Sequence, residues 1–297
     1  MTKIYHGQNV NDRNVNDRNV NDRNVNDRII YRKMVSNNCD ELQLSEYIKT
    51  IPTHSYVLNP VACIKEDKQI YLEYNVSSKG MTLRRFILDE AKVTNNNRLT
   101  KRITGFLHHK KHLNPIQTLL QLIDGYEFLL NKHLLTNQSN ISPDCIWIEP
   151  DEHGHLTAFV INTIESLTNV KSLNTTYWSP EMLCKYNHAA FYNDTPEGHY
   201  ESIYSLASKL SRYDTRPSTI SAVYSLGLIL YFIVAKREPF EGTRVNVYEK
   251  PPMHYIHDEH MKRNIFTALD SDVRERPTLQ QYREYLLDTN ISCCVIL

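Results

Sequence analysis

The run from Ala222 to Val234, Ala-Val-Tyr-Ser-Leu-Gly-Leu-Ile-Leu-Tyr-Phe-Ile-Val, has almost no polar face at helical spacing. A helix of this kind has to be covered on every side, by lipid or by other parts of its own domain. Lipid is the weaker choice, because the best apolar stretch, Leu226 to Ala235, falls short of the roughly 18 to 20 residues that a membrane span needs. The chain must therefore wrap this segment itself. Its 297 residues, 41% hydrophobic and 10% aromatic, are enough to bury a sizeable core.

The wrapping is visible in the rest of the pattern. Ile116, Leu119, Leu120, Leu122, Ile123, Tyr126, Leu129 and Leu130 recur at helical spacing and predict a second buried helix. Two more helices are expected, one around Glu259 and one from Leu279 to Leu287. Upstream, Ile29 to Val35 reads as a strand, and Asp40 to Ile51 predicts a short helix, with Leu44, Tyr47, Ile48 and Ile51 on one side, that stops before Pro52. Tyr56 to Ile64 and Gln69 to Tyr74 predict two strands joined by a polar turn at Lys65 to Lys68. After Gly80, Thr82 is placed to cap a helix that opens with Leu83-Arg84-Arg85-Phe86-Ile87. Cys145 to Ile148 and Leu156 to Ile161 predict short strands on either side of a turn at Asp151-Glu152-His153-Gly154. Strands with one helix, followed mostly by helices, predict an α+β bilobal architecture.

Several stretches are expected to stay outside this core. Residues 9–28 are four copies of Asn-Val-Asn-Asp-Arg, too short and too polar to bury anything, and read as a disordered tail. Residues 91–112 carry Lys92, Arg98, Lys101, Arg102, Lys110 and Lys111 and read as a long solvated connection. The run His108-His109-Lys110-Lys111-His112 is not taken as a metal site, because the lysines repel a cation. Residues 187–218 are polar with weak periodicity and read as an insertion. With 34 basic and 34 acidic residues the formal charge is zero, which gives no reason to expect a nucleic-acid partner. Six cysteines, scattered without paired spacing, predict neither a disulfide framework nor a zinc site and suit a reducing cytoplasm. Met1-Thr2-Lys3-Ile4-Tyr5-His6 has no apolar run, so no secretory leader is expected.

Four short motifs then follow one another: Tyr177-Trp178-Ser179-Pro180-Glu181, Ser221-Ala222-Val223-Tyr224-Ser225-Leu226-Gly227, Pro239-Phe240-Glu241-Gly242 and Arg276-Pro277-Thr278. In that order and at similar spacing they resemble the A-P-E, D-V-x-S-x-G, P-F and R-P-T segments of the eukaryotic protein-kinase family, over roughly residues 29–288. The resemblance implies a bilobal protein-kinase-like fold of the α+β class. Its parts would be the repeats at 1–28, a reduced β-rich small lobe over 29–78, a mainly helical large lobe over 79–288 and a tail at 289–297. It also implies a buried ion pair between Glu181 and Arg276, a structural marker rather than a catalytic one.

Kinase phosphoryl transfer needs a Gly-rich loop and a lysine for the phosphates, carboxylates for Mg²⁺ and an aspartate as base. Aligned through Pro143, the family's H-R-D-x-K-P-x-N loop falls on Gln138-Ser139-Asn140-Ile141-Ser142-Pro143-Asp144-Cys145. The base becomes Asn140, which has no basic lone pair. The phosphate-facing lysine becomes Ser142, and the Mg²⁺-binding asparagine becomes Cys145, a soft ligand for a hard cation. The metal-binding D-F-G falls on Asn162-Thr163-Ile164. Upstream of Ile29 no G-x-G-x-x-G loop exists, and the lysine of V-A-I-K falls on Arg32 or Lys33, with Leu44 where its acidic helix partner would stand and Glu41 and Glu46 nearby. Ala222 replaces the aspartate that steadies the family's catalytic loop. No catalytic residue and no metal site are assigned, and ATP and Mg²⁺ are disfavoured as cofactors. Asn140-Ile141-Ser142 is similar to pseudokinases related to mixed-lineage kinase domain-like proteins, a subgroup that three residues do not assign.

The final Cys294-Val295-Ile296-Leu297 fits the C-a-a-X prenylation pattern with the leucine that favours geranylgeranyl. One lipid binds membranes reversibly, so Cys293 as a palmitoylation site, or the basic 91–112 stretch against anionic headgroups, would supply the second signal. The expectation is a pseudokinase on the cytosolic face of a eukaryotic membrane, a scaffold or regulator whose partners are signalling proteins. Two alternatives stay open: an active Ser/Thr kinase in which Glu165 or Asp144 replaces the lost acids, and an interaction module that uses the large lobe alone and binds no nucleotide.

Overall fold

The computed structural model describes residues 28–35, 40–66, 69–95, 113–135, 141–151, 153–164, 175–183, 218–240 and 249–294, with the backbone alone at 35, 92–95 and 289–294. The sequence-expected repeats up to residue 27, the greater part of the basic stretch and the insertion lie outside the described residues.

The first sheet is antiparallel and built from β1 (Arg28–Val35), β3 (Ala62–Glu66) and β4 (Gln69–Ser77), in the order β1-β4-β3 with Tyr31 opposite Tyr74 and Cys63 opposite Leu72. β1 begins one residue earlier than expected, at the last residue of the repeats, where Arg28 pairs with Ser77. Helix α1 (Glu41–Ile48) follows, started by Asp40, whose carboxylate accepts from the amides of Leu42 and Gln43. Its Leu44 is buried in an apolar cluster with Tyr31, Ile70, Leu72, Tyr74 and Val76.

The expected strand from Tyr56 to Ile64 is two strands in two different sheets. β2 (Val57–Leu58) leaves the small-lobe sheet and pairs in parallel with β7 (Leu156–Ile161). Pro60, which has no N–H, and Asn59, whose side chain donates to the Pro52 carbonyl at 2.9 Å, separate it from β3. The second sheet is completed by β5 (Met81–Thr82) and β6 (Ile146–Pro150), in the order β2-β7-β6-β5. Cys145 stands outside β6. It ends a 3₁₀ turn, Pro143–Cys145, in which its amide bonds the Ser142 carbonyl at 2.9 Å.

Among the described residues, the helices that follow the first sheet begin with α2 (Leu83–Asn95) and carry most of the large-lobe core. α2 has Thr82 Oγ1 accepting from the Arg85 amide at 3.4 Å, and it extends into the stretch read as a connection. α3 (Pro115–Asn131) starts on Asn114, which caps the Gln117 amide, with proline in its first turn. α4 (Thr219–Ala235) is buried continuously from Ser221 to Ile233, as its all-round apolar sequence requires. α5 (Glu259–Ala268) is capped by Asp258, and α6 (Leu279–Cys294) runs past the expected end at Leu287, so residues 289–294 of the expected tail are helical. α3, α5 and α6 all pack on α4. Gly227 makes the α4–α5 crossing close: a Cβ there would meet the Ala268 Cβ at 2.6 Å. Among the described residues, no helix is long and apolar enough to cross a membrane.

Candidate functional site

Successive side chains of a strand point to opposite faces, and this separates Arg32 from Lys33. Arg32 donates to Glu73 at 2.8 Å and to Glu66 at 3.0 Å. Lys33 turns toward the second sheet, with its Nζ 3.0 Å from the Sγ of Cys145. The position expected for an acidic helix partner is Leu44, 1% exposed in the small-lobe cluster, while Glu46 is exposed and bonds Lys49 at 2.9 Å.

Beside Lys33 the space between the sheets is filled with rings. Tyr31 lies 4.9 Å from Trp147 and 5.9 Å from Tyr74, centroid to centroid, and all three are buried. Trp147 Nε1 donates to Glu149 Oε2 at 3.2 Å, and the same oxygen accepts from the Ser77 amide at 2.9 Å. Tyr74 donates its hydroxyl to the Asn162 carbonyl at 2.7 Å. Burial raises the phenol pKa of Tyr31, against a smaller lowering by Lys33, and raises that of Tyr74 well above its ordinary value.

Asn162 is buried and uses both ends of its amide. Oδ1 accepts from the Ile164 amide at 3.0 Å, and Nδ2 donates to Asn59 Oδ1 at 2.9 Å. The turn it closes puts Ile164 at φ 50, a left-handed conformation that a β-branched residue rarely adopts. Ile164, standing where D-F-G has glycine, is fully buried in the small-lobe cluster.

Cys145 accepts from a second donor, the hydroxyl of buried Ser142 at 3.6 Å. Asp144, one of the two acids weighed as substitutes, takes the Arg84 Nε on both carboxylate oxygens at 2.8 Å. Arg84 also pairs with Glu238 and lies over the rings of Tyr177 and Phe232, at 6.0 and 5.8 Å, while the Tyr177 hydroxyl donates to Glu238 at 3.0 Å. Sequence reasoning missed this cluster, because Arg84 on an amphipathic helix has the signature of a surface residue. Asn140 and Glu165 lie outside the described residues.

This donor set does not fit Mg²⁺, which wants octahedral hard oxygens. Cys145 offers sulfur, the Asn162 oxygen is engaged by a backbone amide, and Asp144 is held by an arginine. Among the described residues, no group of three or more His, Cys, Asp or Glu side chains is placed to hold a metal ion.

Glu181 and Arg276 do meet. Arg276, 3% exposed, donates from Nη1 and Nη2 to the two Glu181 oxygens at 2.9 and 3.2 Å. It also donates to the carbonyls of Asp270 and Ile220 and lies 4.9 Å from the centre of the Tyr224 ring. Burial alone would raise the Glu181 pKa, but the hydrogen bonds and charge of Arg276 outweigh it and hold the carboxyl below its ordinary value. Cys293 and Cys294 are the last two helical residues of α6, well removed in sequence from this pair.

No protein-family profile matches the chain, and no curated protein does. A solved structure resembles it: the AtMLKL3 tetramer determined by cryo-EM, with a TM-score of 0.52 and 15% sequence identity, covering 89% of this chain and 43% of that one. The chain thus spans less than half the length of that neighbour. The likeness carries the fold, which is α+β, bilobal and kinase-like, with small sheets in the N-terminal half and helices in the C-terminal half.

Proposed function

We propose that the chain is a pseudokinase, a kinase-fold protein that binds signalling partners and does not transfer phosphate. The observation that supports this best is the contact between Lys33 and Cys145. The two positions that resemble the phosphate lysine and a metal-binding asparagine face each other as an amine and a thiol. The buried rings of Tyr31, Tyr74 and Trp147 add to it, since a purine entering beside Lys33 would have to displace them. The neighbouring structure shares the fold, and what AtMLKL3 assembles into is a property of that protein.

Incubating the full chain with radiolabelled ATP and Mg²⁺ or Mn²⁺ tests the proposal, together with a thermal-shift titration by ATP. No label above background on the chain or on a generic substrate is expected. Turnover that disappears in Lys33→Met would instead establish the active Ser/Thr kinase. An ATP-dependent thermal shift without turnover would leave a nucleotide-binding pseudokinase and remove the nucleotide-free, large-lobe interaction module.

The proposal places the protein on a cytosolic membrane face through a prenyl group on Cys294, with Cys293 or the 91–112 basic stretch as the second signal. Expression in eukaryotic cells should give a membrane fraction that Cys294→Ser removes. An unchanged fraction, or an intact mass without the isoprenoid, would refute the anchor and leave the pseudokinase proposal standing.

A further inference from the structure

Lys33 and Cys145 lie 112 residues apart in sequence and on opposite sides of the inter-sheet space, yet their Nζ and Sγ atoms are 3.0 Å apart. Each is carried by a fixed element. Lys33 stands in the middle of the β1–β4 ladder, opposite Leu72, and Cys145 ends the 3₁₀ turn that Pro143 begins. The hydroxyl of Ser142 approaches the same sulfur from its own side, at 3.6 Å. Cys145 is buried, 4% exposed, so bulky thiols and macromolecules are kept from it. An amine and a thiol held this closely need only side-chain motion to accept one atom between them.

We infer that Lys33 and Cys145 are a covalent modification site, joined under hydrogen peroxide by a nitrogen–oxygen–sulfur bridge that ties the small lobe to the large one. In the first step the sulfur attacks one peroxide oxygen, the O–O bond breaks, and the products are the Cys145 sulfenic acid and one water. A sulfenic acid is ordinarily captured by a thiol or a nitrogen. Here Lys33 Nζ is the nitrogen in contact with the sulfur. In the second step another peroxide takes the sulfenic hydrogen and one hydrogen of the neutral amine and leaves as two waters, while the N–O bond closes. Altogether one thiol, one amine and two peroxides give one bridge and three waters, with sulfur and nitrogen each giving up two electrons. The proton that a charged lysine carries passes to solvent before the second step.

The test is peptide mass spectrometry on the full chain after graded peroxide treatment. The expected result is a peptide pair joined through Lys33 and Cys145, one oxygen heavier and two hydrogens lighter than the sum of the pair, and separated again by a phosphine reductant. The oxidised protein should also melt at a higher temperature than the reduced one, because a cross-link between distant residues restricts the unfolded chain. Lys33→Arg keeps a cation against the sulfur but removes the amine, so it should lose both the linked pair and the rise in melting temperature. Oxygen found on Cys145 without a linked peptide would overturn the inference. So would a Cys145 left unmodified at doses that oxidise Cys63, or a melting rise that persists in Lys33→Arg. The linked peptide is read on the wild-type chain, so the test stands even if a variant fails to fold.

Discussion

Arg276 and Lys33 are both partly or fully withdrawn from water at elements joining distant parts of the chain, and their surroundings differ in kind. Arg276 has a carboxylate on two of its nitrogens, two backbone carbonyls and an aromatic face. Lys33 touches a thiol, with three packed rings beside it and an amide, Asn162, where an acid would stand in a kinase. The large-lobe anchor keeps charge and neutralises it. The cleft is held by ring packing and by the hydrogen bonds of a neutral amide. The two sets of contacts are made by separate groups of residues, so each can be altered without touching the other.

The sharpest way to break this comparison is Glu181→Ala, which leaves the Arg276 guanidinium buried without its carboxylate. It should cost about 3–5 kcal/mol in urea unfolding, and a loss below about 1 kcal/mol, the range of exposed pairs, would show that the anchor does not hold the large lobe. The same residue gives a pH signature. Because the folded Glu181 pKa is depressed, its contribution is fully present above the unfolded value of about 4.3 and is lost as the pH falls through the lower folded value. Glu181→Gln should therefore be less stable at neutral pH and lose less on acidification, as measured by melting from pH 7 to pH 3.

Asn162→Asp restores the acid of the kinase motif and tests the other side. Its second oxygen would face Asn59 Oδ1, which now accepts from Nδ2, so an unsatisfied buried pair should cost about 1–3 kcal/mol, with no gain of ATP turnover. Unchanged stability together with new turnover would make the cleft a latent active site. Ile164→Gly sets relief of about 1–2 kcal/mol of left-handed strain against about 2–5 kcal/mol for deleting a fully buried side chain and leaving its cavity, so a net loss of about 1–3 kcal/mol is expected. Gly227→Ala is expected to be smaller. A Cβ 2.6 Å from that of Ala268 forces α4 and α5 apart at about 1–3 kcal/mol, and the better helix propensity of alanine returns about 1 kcal/mol. Thermal melts of the two variants side by side would rank them.

What could be read from sequence was whatever repeats locally. The continuous apolar run of α4, the stripe of α3 and the apolar side of α1 at Leu44, Tyr47 and Ile48 each state their element in a few residues. Glu181 and Arg276 were legible because each sits in a motif of recognisable order. The division of Tyr56 to Ile64 was not legible, since Val57 and Leu58 are apolar enough for any strand and their partners, Val160 and Ile161, are remote in sequence. Tyr31 reads as an ordinary strand residue until Trp147 is placed against it, and Arg84 as an ordinary surface cation until Asp144 and Glu238 are. The contact of Lys33 with Cys145 needed both the alternation of β1 and the turn that takes Cys145 out of its expected strand.

The short parallel pairing of β2 with β7 bears on how the molecule comes apart. The Val160 amide bonds the Tyr56 carbonyl at 2.9 Å, the Asn162 amide bonds the Leu58 carbonyl at 2.9 Å, and Gly125 of α3 leaves room for the same Tyr56 carbonyl. A strand from the first third of the chain is therefore the sheet neighbour of one from the second half. Severing the chain between residues 78 and 79 would strip β7 of a partner and leave β2 with none, exposing backbone groups on both pieces. A single unfolding transition for the two lobes is therefore the expected outcome in calorimetry, and two separate transitions would show that the β2–β7 pairing does not couple them.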